Sequence, residues 1–406
     1  MFSIAQDDPM VMHLIIAVAG REIEFRRHTV TGRSDQTGPE IPLRHYCKGL
    51  RLVSEALERQ EGGIGDLEAL CTALYLMLLY EQKFGDAHGL GLSNHLTGAA
   101  WVIKRYCKEI VSSIFGPPRI GLPPQAPALA RRCQGPQDHS LFIVRLLTWI
   151  AHQDAAASTF KVGGQFNGAL CQAIGEQNPA TWENFERLNH FSLPLYRTMW
   201  ADSYPQAEMV DDIENQHVYS LLSACGHLRY MISDLSRLHG AARERQEVAV
   251  EEAIAQVGHL YNDLLQVAGG LSMATDNSHR LVANIRGIVA YYYAIMLEFH
   301  RVSSSHLDGF RVQEVVQCIM DLAAQDYEHG GDESIVRIAW PLFVTALVTD
   351  KARHQNWVLS HLGRIRRFGK NYDRAYEFLG NIIKGQQGPP GKLSELNEPW
   401  EEIFVI

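Results

Sequence analysis

The sequence predicts an all-α fold of about fourteen helices, arranged as stacked antiparallel helical hairpins. Three observations carry that expectation. Apolar residues recur at steps of three and four along most of the chain, which places them on one face of a helix. Almost no stretch alternates with period two, and the nearest strand candidate, Phe404 to Ile406, is too short to matter. Successive helical segments are joined by short turns, yet no fixed-period repeat points to a named solenoid family.

The elements follow in order. In Leu43 to Arg59, the residues Leu43, Tyr46, Cys47, Leu50, Val53, Ala56 and Leu57 share one face, while Lys48, Arg51, Glu55 and Glu58 share the other. Asp66 precedes Leu67 and Leu70, where a short carboxylate is expected to cap the next helix. Gly85, Asp86 and the Gly89–Gly91 pair end that helix, and Ser93 is expected to open another through Ile103. Between Gly116 and Pro136, the prolines Pro117, Pro118, Pro123, Pro124, Pro127 and Pro136 forbid a continuous helix and predict a loop or linker. Helical periodicity returns at Ser140–Ala157, Trp182–Trp200, Glu208–Leu238, Glu244–Val267, His279–Arg301 and Gln313–Asp326. Three shorter helices are expected at Glu333–Val348, Lys351–Phe368 and Tyr372–Ile383.

The chain has 406 residues, 46% of them hydrophobic and 20% charged, enough apolar material for a large core. A formal charge of −9 argues against gripping nucleic acid with the whole surface, because phosphates call for a basic face. Seven cysteines are an odd number in a long chain and not a disulfide framework. Met1 to Met10 shows no basic segment ahead of a hydrophobic core, so no secretory signal is expected. The apolar runs Val11–Ala19 and Ala69–Tyr80 both fall short of the roughly 18 residues that a membrane-spanning helix needs. They read as helices buried inside a large helical protein.

Motifs for chemistry are scarce. The 18 histidines include no His-Glu-x-x-His, and Cys47, Cys71, Cys107, Cys133, Cys171, Cys225 and Cys318 never approach Cys-x-x-Cys spacing. His217 with His227, and His354 with His361, stand too far apart for an adjacent-turn pair. Gly-x-Ser-x-Gly does not occur, and Gly89-Leu-Gly91-Leu-Ser93 reads as a turn between helices rather than a phosphate cradle. The acids Asp211, Asp212 and Glu214 invite comparison with all-α isoprenoid cyclases, whose clustered carboxylates hold magnesium against diphosphate. However, Asn215 stands where that motif wants an acid, and Gln266 where a second motif beginning at Asn262–Asp263 wants serine. A solvated helix start accounts better for the acids. Arg364, Arg366, Arg367, Lys370 and Arg374 form a basic cluster. An acidic partner or phosphates could meet it, but Ile365 and Phe368 interrupt it as in an ordinary amphipathic helix. No catalytic residue, metal ligand or cofactor is nominated.

The order of several helix-sized phrases is more informative. His45-Tyr-Cys-Lys-Gly-Leu-Arg-Leu-Val-Ser-Glu-Ala-Leu57 is followed by the apolar helix Leu70–Tyr80, Phe84-Gly-Asp86 and His95-Leu-Thr-Gly-Ala-Ala-Trp-Val-Ile103. Leu146-Leu-Thr-Trp-Ile-Ala-His-Gln-Asp-Ala-Ala-Ala157, Ile338-Ala-Trp-Pro-Leu-Phe343 and a closing helix pair complete the series. In that order they resemble the regulatory ("fungal-specific transcription factor") domain found C-terminal to a binuclear zinc cluster in fungal regulators. Within the phrases, Gly98, Ala99 and Ala100 are expected to let neighbouring helices approach closely. Asp154 is expected to make an interhelical tie, and Pro341 to kink its helix, with Trp340 and Phe343 filling the bend.

The resemblance implies a transcription-factor-like regulatory protein rather than an enzyme. Family members read DNA with six cysteines on two zinc ions, a cluster these cysteine spacings cannot form, so direct sequence-specific DNA binding is not expected. It further implies protein partners (another regulator or a coactivator), a homodimer, a small-molecule effector, a nuclear location, and a role in a secondary-metabolite pathway. A non-catalytic scaffold, or less readily a cyclase-like enzyme, are the alternatives. The chain divides on this reading into N-terminal helices (1–114), a Pro-rich linker (115–138), the remaining helical body (139–385) and an acidic, aromatic tail (386–406). In that tail Glu395, Glu398, Glu401 and Glu402 alternate with Leu396, Trp400, Ile403 and Phe404. Either it forms an activation segment, or Trp400 and Phe404 dock back on the body.

Overall fold

The structure is a computed structural model, describing residues 1–31, 40–58, 64–107, 111, 139–175, 182–193, 195, 203–273, 279–303, 309–385 and 404–406. Among these residues there are sixteen α-helices and no strand. The expected linker at 115–138 and tail residues 386–403 lie outside them. The N-terminal helices are α1 (Phe2–Asp7), α2 (Pro9–Thr31), α3 (Glu40–Glu58), α4 (Ile64–Phe84) and α5 (Leu90–Val102), the last continued by a π-helical turn at Ile103–Cys107. Next come α6 (His139–Ser158), α7 (Gln165–Gly175), α8 (Trp182–Ser192), α9 (Gln206–Asp234), α10 (Gly240–Leu260) and α11 (Asn262–Val267). The series closes with α12 (His279–Val302), α13 (Gly309–Arg337), α14 (Ala339–Val348), α15 (Ala352–Ile365) and α16 (Lys370–Gly385).

Packing follows chain order. The hairpin α2–α3 lies on α4, α4 packs on α6, and α6 packs on α8 and α9. The long α9 in turn packs on α12, which carries α13 and α14, and α15 pairs with α16. The two apolar runs are accordingly core helices: Val11, Leu14 and Ala17 of α2 are buried, as are Ala69 to Leu74, Leu76 to Leu78 and Tyr80 of α4. No described helix is long and apolar enough to cross a membrane.

Several boundaries differ from expectation, each for a local reason. Asp66 is inside the first turn of α4 rather than at its cap. Asp86, expected only to end α4, opens α5: its carboxylate accepts from the N–H groups of His88 (2.8 Å), Leu90 (3.2 Å) and Gly91 (3.1 Å). These bonds hold its pKa below the usual carboxylate value despite the opposing effect of burial. The helix therefore begins at Leu90, ahead of Ser93. Helix α7 had no expected counterpart. Its start is fixed by Asp154 of α6, fully buried, which accepts from the backbone N–H groups of Gly164 and Asn167 and from the Asn167 side chain, each at 2.8 Å. That is the interhelical tie expected of Asp154.

Pro341 does not kink a helix. It sits in the first turn of α14, where a missing N–H costs nothing, and Leu342 N–H donates to the Ile338 carbonyl at 3.0 Å. The expected single helix over 333–348 is instead two, meeting at Ile338. Gly98 faces open space, so close helix approach there falls to the buried Ala99 and Ala100. Gly331, with φ 57°, sets a left-handed break near the end of α13. At the other end of the chain, Phe404 is buried and its ring packs against Phe160 (4.8 Å), Phe343 (5.1 Å) and Phe378 (5.4 Å). Asn371 Nδ2 donates to the Val405 carbonyl at 2.8 Å, and Gln82 Nε2 at 3.3 Å. At its last three residues the tail docks on the body.

Candidate functional site

Helix α9 places a row of side chains along its inner face, and they meet residues of α4, α6 and α8 across a cavity of about 780 Å³. That volume suits a drug-sized organic molecule. Aromatic groups supply much of the wall. Tyr75 of α4 and Trp149 of α6 stand with ring centroids 5.2 Å apart. Phe185 of α8 stacks on His227 of α9 at 4.1 Å, with 24° between the planes. Tyr219 and Leu222 extend the apolar lining along α9.

Two imidazoles reach the cavity, His152 from α6 and His227 from α9. Burial, with a further contribution from Arg229, lowers the His152 pKa to about 4; burial lowers that of His227 to about 3. Both rings are therefore neutral near pH 7, each offering one N–H and one acceptor nitrogen. Gly226 makes room for His152: a Cβ there would come to 3.0 Å from its Nδ1.

Cations and acids face one another around the cavity. Arg280 of α12 pairs with Asp211 (2.5 Å) and Glu208 (3.3 Å) at the half-exposed end of the cavity. Asp212 accepts a hydrogen bond from Tyr204. Its pKa is raised, burial outweighing the pull of Arg280 and Arg145. Arg145 Nη1 donates to Asn189 Oδ1 at 3.1 Å. By contrast, the buried atoms Gln153 Oε1, Asn189 Nδ2 and His227 Nδ1, all on lining residues, have no hydrogen-bond partner.

The acidic residues compared with cyclase motifs do not converge. Asp212 lines the cavity, whereas His217 pairs with Asp263 at 3.3 Å on the surface. Asn215 is buried and accepts from Asn284 Nδ2 at 2.7 Å, a tie between α9 and α12. Among the described residues, no three His, Cys, Asp or Glu side chains could hold a metal ion together. His361 donates from Nδ1 to the Trp357 carbonyl at 2.8 Å and stacks on that indole, a structural role.

The four arginines of the basic cluster are engaged within the fold, and Lys370 has its pKa lowered by burial and by the charges of Arg21 and Arg374. Arg366 pairs with Asp373 (2.5 Å) and Glu377 (3.0 Å), Arg367 with Asp332 (2.9 Å), and Arg364 donates to the Tyr327 hydroxyl (2.8 Å). Arg374 reaches the carbonyls of Gly85 and Asp86, at 2.7 and 3.0 Å. Sequence reasoning had not singled out the cavity. Its trace was the stripe Arg145, Trp149 and His152, polar or amphipathic groups a helical turn apart on an otherwise apolar helix.

No curated protein and no solved structure matches the chain. A family profile described as the fungal specific transcription factor domain matches residues 1–404. With nearly the whole chain covered and an all-helical body beneath it, this protein belongs to the fungal specific transcription factor domain family.

Proposed function

We propose that this protein is a non-catalytic transcription-regulatory module that acts in the nucleus through protein partners. The observation that carries the reading is the family match over residues 1–404. The site chemistry supports it. The titratable groups around the cavity are two neutral imidazoles, the Arg280–Asp211 pair, and Asp212 held by Tyr204 with Arg145 acting on it, and the surface pair His217–Asp263 stands apart from them. A nucleophile activated by a base, or carboxylates gathered for a metal, would have supported catalysis. Instead the arrangement suits binding, with regulation as its outcome.

The family resemblance further supports control of a secondary-metabolite pathway as the biological setting. Two experiments test the reading. Fused to a heterologous DNA-binding domain, the chain is expected to raise or lower a reporter by severalfold; an unchanged reporter overturns the regulatory role. Deleting the gene is expected to alter transcripts of one biosynthetic gene set, and an unaltered transcriptome overturns the pathway assignment.

A further inference from the structure

We propose that the cavity between α4, α6, α8 and α9 binds a neutral aromatic molecule carrying both a hydroxyl and a carbonyl group. The proposal deepens the regulatory reading and rests on it only for its biological meaning.

Size, wall, charge and unmet hydrogen bonds each narrow the ligand. The space of about 780 Å³ exceeds what a single metabolite ion would fill. Its walls are aromatic on two sides: Tyr75 with Trp149, and Phe185 with His227. Rings of a ligand gain offset or edge-on contacts there that an aliphatic chain does not. Cations face acids around the space: Arg280 is held by Asp211 and Glu208, Arg145 and Arg280 both act on Asp212, and both imidazoles are neutral. A ligand with net charge would leave water for a site offering no excess of the opposite sign.

The unmet groups set the polar functions. Asn189 Nδ2 is a donor without an acceptor, and Gln153 Oε1 an acceptor without a donor. Both residues line the cavity, with 2% and 9% of their surface exposed. Buried polar atoms without partners are rare, because each costs about 1–3 kcal/mol. A carbonyl would answer the first and a hydroxyl the second. The His227 ring, whose Nδ1 is also unpartnered, can serve either through its tautomer.

Benzoin, which is neutral and carries two phenyl rings, a hydroxyl and a ketone, is a suitable probe for calorimetric titration of the full purified chain. Saturable one-to-one binding is expected. Deoxybenzoin lacks the hydroxyl and is expected to bind about fivefold to tenfold more weakly. Benzilic acid, ionised near neutral pH, and decanol, which has no ring, are expected to bind at least about tenfold more weakly. Leu222→Trp and Thr148→Trp each fill the cavity and are expected to abolish binding, while Trp101→Ala on the distant surface of α5 leaves it unchanged.

Thermal unfolding of each variant reports whether it folds. If neither filling variant does, fluorine NMR of the fluorotryptophan-labelled wild-type chain decides. The Trp149 resonance, assigned by its loss in Trp149→Phe, is expected to move on adding benzoin, and a stationary resonance overturns the proposal. So does any of three calorimetric results: no saturable heat, undiminished binding to a folded filling variant, or tighter binding of benzilic acid or decanol than of benzoin. Because binding is read on purified protein and regulation on a tethered reporter, the two readings fail separately.

Discussion

The guanidinium of Arg229 lies 3.9 Å from the centroid of the Trp340 indole, joining the C-terminal part of α9 to the first turn of α14. Arg229 is 1% exposed. It also donates from Nε to Thr159 Oγ1 at 3.0 Å and from Nη1 to the Tyr291 hydroxyl at 2.9 Å. Among the described residues no carboxylate forms an ion pair with it, so the aromatic face, these two hydroxyls and the more distant charge of buried Glu298 offset its desolvation.

Arg229→Ala is therefore expected to cost about 3–5 kcal/mol, through a cavity and two stranded hydroxyls. Arg229→Met, which keeps the volume and removes the buried charge, is expected to recover most of that loss. Urea unfolding at constant slope separates the two variants. Equal midpoints for alanine and methionine would show that the charge, rather than the packing, is what the core uses.

Asp154 makes a second junction that can be tested by chemistry rather than size. Its carboxylate caps α7 from α6, so Asp154→Ala is expected to cost about 2–3 kcal/mol by leaving buried N–H donors unmet. Burial raises its pKa, against the hydrogen bonds from Asn167 and Gly164 that lower it. The folded state thus disfavours the ionised form, and stability declines as pH rises from the ordinary carboxyl value through the folded one. Asp154→Asn keeps an acceptor oxygen but does not titrate. It is expected to be less damaging than alanine and to lack that decline, in urea titrations run at several pH values.

How much of this was legible beforehand depends on which signal each element carried. Helices with one apolar stripe, such as α3, could be placed to within a few residues because burial follows the 3.6-residue period. Helix α7 was missed because its start is specified from another helix, by Asp154, and nothing local announces it. Asp86 was read as a terminator because its capping bonds point forward across Gly89 to a helix that a sequence scan begins at Ser93. The cavity was the least legible feature. Trp149, Phe185 and His227 belong to three helices, and a void between helices leaves no period in any of them.

The neutral imidazoles make stability fall toward acid pH in a window above the carboxylate range. His227, 3% exposed, has its pKa lowered by burial from 6.5 to about 3. Between those values the unfolded chain binds a proton that the folded chain refuses, so stability is complete above pH 6.5 and is lost as pH falls. By pH 4 that loss amounts to about 3 kcal/mol for this one ring. His227→Phe, which preserves the stack on Phe185, is expected to flatten the pH dependence of the urea midpoint between pH 6.5 and 4. An unchanged slope would mean that His227 is protonated in the fold.

The docked end of the chain leads to the last prediction. Phe404 fills a pocket of three other phenylalanines, and the next carbonyl accepts from Asn371, itself 1% exposed. An aromatic side chain placed this way is a core residue, so Phe404→Ala is expected to cost about 3–5 kcal/mol and to lower the melting temperature by at least about 5 °C. Phe404→Leu, which retains most of the apolar volume, should fall between. Removing residues 404–406 should match or exceed the alanine variant, because Asn371 and Gln82 then lose the Val405 carbonyl as well. A solvent-exposed activation segment makes the opposite forecast: its aromatic residues could be cut without thermal effect, while a tethered reporter lost its signal. Melting curves and reporter output measured on the same three variants distinguish the two, and the packing around Phe404 predicts the first outcome for residues 404–406.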